Sequence, residues 1–121
     1  MNEKLEELLP DIDLTDHNPL DQDQLAIRIE RTYQVLEAQR TSLTEAERKL
    51  ANIEAHIKGE NSEEYTAAKN ADARQVLVQS WLHDEPEYWE TRNTRDEASD
   101  LIELIRVRID RLKLLVALTS S

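Results

Sequence analysis

The sequence predicts an all-α protein: a long antiparallel helical hairpin, coiled-coil-like, with a short helical insert at its tip and an oligomeric state. Two observations carry this expectation. The stretches Leu25 to Ile57 and Tyr88 to Thr119 are nearly equal in length, and each repeats small or apolar residues in alternating steps of four and three, the spacing of a heptad seam. The chain of 121 residues also carries 34% charged residues, one Gly and no Phe. That is the composition of long solvated helices and not of a compact mixed fold.

By organisation, residues 1–22 read as an acidic N-terminal tail with a short amphipathic segment, and 23–121 as the hairpin domain. Leu5, Leu8 and Leu9 fall on one side of about two helical turns that Pro10 ends. From Asp11 to Asp23 the chain reads as an extended linker: it holds five aspartates, and Asn18 before Pro19 disfavours helix.

A first long helix is expected over 23–58. Asp21 or Asp23 can cap its free N–H groups, and Gly59, the single glycine, sits where a left-handed closing residue is wanted. Its seam has one wholly aliphatic position (Ile29, Leu36, Leu43, Leu50, Ile57) and one mixed position (Leu25, Thr32, Gln39, Ala46, Ile53). Gln39 either helps to fix register or lies beside a gap or at the solvent edge.

The insert, 61–83, starts with Asn61 or Ser62 as cap and Glu63 and Glu64 in the first turn, and Asn70 can interrupt or restart it. A second long helix follows over 86–119, with Pro86 at its first position and acids around its amino end. Its seam runs Tyr88, Thr91, Arg95, Ala98, Ile102, Ile105, Ile109, Leu112, Val116, Thr119. Leu101, Leu104, Val107, Leu114, Leu115 and Leu118 lie off that line, so apolar residues cover more than half of the circumference, which a helix wetted on one face does not need. Either a third segment packs there, with Leu5, Leu8 and Leu9 the candidate, or another copy of the chain does. Self-association through these six residues is the expectation, because a lone two-helix hairpin leaves too much apolar surface exposed.

The net charge of −11 is uneven. Residues 1–23 hold eight acids and one lysine, residues 59–100 eleven acids and four bases, and the remaining shaft ten bases and seven acids. The shaft's bases alternate with acids, which describes a solvated helix face, whereas a nucleic-acid surface presents an unbroken basic stripe. Direct nucleic-acid binding is therefore not expected. No stretch is long and apolar enough to span a bilayer, the N-terminus does not read as a secretion signal, and the lack of Cys removes thiolate chemistry and thiolate zinc sites. A cytoplasmic location is compatible with all of this.

Nothing in the chain spells an active site. The residues three before His17, His56 and His83 are Leu14, Ile53 and Ser80, so the Glu-x-x-His pairs of a helical di-iron centre are missing. Glu87 with Glu90 and Glu97 with Asp100 look like the paired acids of helical nucleotide pyrophosphohydrolases, but all four fall on one continuous helix and cannot face one another across a bundle. A phosphate loop cannot be built with one glycine. No catalytic, cofactor or metal residue is nominated, and the chain is not expected to be an enzyme. Trp81, Tyr88 and Trp89 cluster where the insert meets the second long helix. They either plug that end of the hairpin or form an exposed anchor for a protein partner.

The run Glu64-Tyr65-Thr66-Ala67-Ala68-Lys69-Asn70-Ala71-Asp72-Ala73-Arg74, with Asp84-Glu85-Pro86-Glu87-Tyr88 after it, resembles a pattern in small coiled-coil proteins of phages and prophages. In that group a Gly-Lys-Asn-x-x-x-Arg turn precedes a short helix and then a long charged one; here Ala68 stands in the glycine's place. The resemblance covers roughly residues 57–121. It implies a phage or mobile-element setting with no assigned activity, and structural roles for Asn70 as a cap and Arg74 as a salt-bridging arm. The expected function is a non-enzymatic helical scaffold or adaptor acting through protein contacts. The alternative is an acidic mimic of DNA that inhibits a host nuclease or another DNA-binding protein.

Overall fold

A computed structural model describes residues 3–9 and 22–119. Of these, 93% are helical and none lies in a strand. The elements are α1 (Glu3–Leu8), α2 (Gln22–Glu60), α3 (Ser62–Ala67), α4 (Ala71–His83) and α5 (Pro86–Thr119). The linker expected from Asp11 and the Asp21 cap fall outside the described residues, apart from Asp23, which sits in the first turn of α2.

Two departures from the expected boundaries have clear local causes. α2 runs through Gly59 to Glu60, and no glycine has positive φ, so Gly59 is not the left-handed closing residue. Asn61 does that work instead. Its backbone N–H and its side-chain Nδ2 both donate to the Ile57 carbonyl, at 3.1 and 2.9 Å, which satisfies an end group of α2 without a special backbone conformation. Committed in this way, the Asn61 side chain makes no cap bond to α3.

The 61–83 insert is two helices, parted at Asn70, where an interruption or restart was expected. Ala68 turns extended (ψ 142°) and Asn70 is fully extended (φ −159°, ψ 178°). The Asn70 Oδ1 then accepts the Ala73 N–H at 2.9 Å and restarts the chain as α4. Arg74 ties the two short helices together by donating from Nε to the Tyr65 carbonyl at 3.3 Å and lying 5.7 Å from the Tyr65 ring centroid.

The chain divides into two compact units: Met1–Thr41 with Ala98–Ser121, and Ser42–Glu97. In the first, Leu25, Thr32 and Leu36 of α2, Leu101, Ile102, Ile105, Ile109 and Leu112 of α5, and Leu5 and Leu9 at α1 are buried. The buried Thr32 hydroxyl donates to the Arg28 carbonyl at 2.7 Å, one turn back, the usual way for a threonine to sit in a helix interior without an orphaned hydroxyl. Here α2 and α5 pack together: Ala26, Ile29 and Tyr33 flank one groove with Val116, and Lys113 stands 5.8 Å from the Tyr33 ring centroid. Hydrogen bonding to the Tyr33 hydroxyl raises the Lys113 pKa above its ordinary value.

In the second unit, Ile57, Val78 and Leu82 form a core against which Ile53, Tyr65, Trp81 and Tyr88 pack. Farther along, the small residues Ala46 and Thr91 are buried, and Lys49 pairs with Glu87 at 3.2 Å. Within both units the seam positions named for α2 are all buried or half-buried, Gln39 being half-buried.

Candidate protein-contact surfaces

The aromatic group at the start of α5 divides into core and surface. Trp81 and Tyr88 are half-buried and belong to the hydrophobic cluster of the second unit. Trp89 is the one that reaches solvent, 38% exposed. It is nonetheless held on every side: Nε1 donates to the His83 carbonyl at 2.9 Å, the His83 and Tyr88 rings meet it edge-on at 5.7 and 5.4 Å, and the Arg92 guanidinium lies 5.3 Å from its centroid. The indole thereby satisfies a carbonyl at the end of α4 and seats the turn into α5.

The second nominated group lies on the C-terminal half of α5, and its six members fare differently. Leu101 is 0% exposed, so it forms no surface and is withdrawn from the self-association set; Leu115 is half-buried. Leu104, Val107, Leu114 and Leu118 remain 39%, 59%, 59% and 63% exposed. These four fall at helical spacings of three, seven and four, one stripe with Arg111 in its middle.

α1 belongs to the same unit as Leu101. Arg108, seven residues on and therefore on the same face of α5, donates to the Glu6 carboxylate and to the Leu9 backbone carbonyl, while Leu5 and Leu9 are buried. Sequence inspection offered a third segment and a second copy as competing explanations of the off-seam residues. Among the described residues α1 meets α5 through Arg108, while Leu104, Val107, Leu114 and Leu118 are exposed to solvent. A signal for this was present in the spacing, since Leu101, Arg108 and Leu115 form a heptad of their own. The cation in its middle obscured it.

Among the described residues no group of three or more His, Asp or Glu is placed to hold a metal ion. Glu87, Glu90, Glu97 and Asp100 are all exposed along α5. His56 pairs with Glu60 at 2.8 Å across one turn of α2, with both side chains largely in solvent. Among the described residues no helix is long and apolar enough to cross a membrane. No family model, curated protein or solved structure matches the chain.

Proposed function

We propose that the protein is a non-enzymatic helical scaffold or adaptor, in the phage or mobile-element setting that the resemblance around Asn70 and Arg74 implies. In this reading α2 and α5 are the arms of one antiparallel coiled-coil-like hairpin, α3 and α4 close its tip, and copies associate through α5. The observation that carries it is the open stripe of Leu104, Val107, Leu114 and Leu118. Four large aliphatics on one helical stripe are not required to solubilise or to fold α5, whose inner face is already occupied, and such patches on a folded chain mark contact surfaces. The acids of residues 59–100 would then face outward to a protein partner, with Trp89 as a fixed aromatic edge.

Sedimentation tests this directly. The parent chain is expected to run heavier than its 14.1 kDa monomer mass, and Leu114→Glu with Leu118→Glu to return it to that mass with helicity unchanged. A parent that stays monomeric at the highest attainable concentration refutes self-association. The exposed carboxylates of Glu87, Glu90, Glu97 and Asp100 favour the second reading, mimicry of DNA phosphates. It predicts a salt-sensitive contact with a DNA-binding protein that duplex DNA displaces, where an apolar contact would be salt-tolerant.

A further inference from the structure

α1 is too short to be a stable helix by itself, since isolated helices below a dozen or so residues are marginal in water. It has six residues, and what holds it includes two buried leucines, Leu5 and Leu9, and the fork of Arg108, which takes the Glu6 carboxylate and the Leu9 carbonyl together. The side-chain pair is largely withdrawn from water, Arg108 12% and Glu6 33% exposed, and a guanidinium that donates to two acceptors at once gives geometric specificity as well as attraction. In chemical terms the seat on α5 accepts a short helix with leucines four apart, an acid next to the first, and a free carbonyl at its end.

We infer that this seat is an exchange site, which takes α1 from a second copy of the chain as well as from its own. Every feature that α1 shows in its own seat is present in every other copy. What distinguishes its own copy from any other is the covalent link through residues 10–21, which raises the effective concentration of α1 at its own seat. Exchange of an identical element between copies is a low-cost route to association. Something on α5 also favours the second copy. Leu104 and Val107, left open, lie three residues beyond Leu101 and one before Arg108, so they border the seat. A neighbour that delivers its α1 there is placed to cover the stripe that the chain's own α1 leaves bare.

The inference does not depend on stripe-to-stripe pairing, and the test separates the two. One chain carries Leu5→Asp and Leu9→Asp, so that its α1 cannot dock while its seat is intact. The other carries Arg108→Glu, which repels Glu6 and disables the seat while leaving α1 intact. Sedimentation of each alone and of their mixture is then compared. Exchange predicts that the mixed pair forms at a concentration at least tenfold lower than either pair of like chains. Association through the stripe alone predicts statistical mixing, and that result overturns the inference. If either variant has lost helicity, a fluorescent peptide of residues 1–12 is titrated into the parent and into a Leu5→Ala chain. The Leu5→Ala chain, with its own α1 loosened, should bind the peptide at least tenfold more tightly than the parent. Equal binding, or none by either chain, overturns the inference as well.

Discussion

The two units draw on the same pair of long helices and complete their cores in opposite ways. The unit of residues 42–97 closes locally: α3 and α4 follow α2 directly in sequence and bring Val78, Leu82, Tyr65 and Trp81 onto Ile53 and Ile57. The other unit closes with a segment about a hundred residues away, α1 on Arg108. Its own apolar stock is larger, with Leu101, Ile102, Ile105, Ile109 and Leu112 all buried on one stretch of α5. Two facing helices cover only part of such a circumference, so a third is recruited and a strip is still left over. A core that is poor in large side chains, with Ala46 and Thr91 at buried positions, needs only a turn of nearby chain and a few aromatics to seal it.

If the units are separate in energy as well as in contacts, deletions of equal size should leave separate footprints. Ile105→Ala and Leu82→Ala each remove three carbons from sites that are 0% and 3% exposed, and each should cost about 2–5 kcal/mol. Hydrogen exchange reads the comparison. Ile105→Ala should accelerate amides of α1 and of α5 beyond Ala98, whereas Leu82→Ala should accelerate those of α3 and α4. Identical acceleration along the whole chain in both variants would show one cooperative core in place of two.

Asn70→Ala asks the same question on a smaller scale. The side chain has one task, to accept the Ala73 N–H at the start of α4, and losing a cap costs about 1 kcal/mol. The effect should be confined to α4, and Asn70→Asp should restore most of it, because an aspartate oxygen accepts the same bond and suits the positive end of the helix dipole. Equal melting of parent and Asn70→Ala would remove the cap from the account of how the insert divides.

Much of the fold was legible because heptad spacing reports the buried line of a helix irrespective of what covers it: Leu25, Leu36, Ile57, Ala98, Ile105 and Leu112 were all on the line and are all buried. The tertiary tasks of single polar residues were not legible. Arg108 reads as one more cation on a mixed face until α1 is beside it, and Trp89 reads as either a plug of the hairpin end or an exposed anchor until its indole N–H is seen on the His83 carbonyl. Leu101 was assigned to the surface because periodicity identifies an extra apolar face without saying which neighbour fills it. For Arg108 the missing information is a partner about a hundred residues away, which local pattern cannot encode.

Gly59 gives the smallest and most discriminating test, because two local rules disagree there. The rule for helix ends places a lone glycine just past the last turn, in the left-handed conformation, where alanine is strained. The structure places it inside α2, and a Cβ built on it meets nothing within 4 Å. Alanine there should fit without strain and reduce the freedom of the unfolded chain, so Gly59→Ala should stabilise by about 0.5–1 kcal/mol and raise the melting temperature by a few degrees. A fall in melting temperature would return Gly59 to the closing role and move the end of α2 back to Lys58. The two bonds from Asn61 to the Ile57 carbonyl would then need another explanation, since they terminate a helix that continues through Gly59.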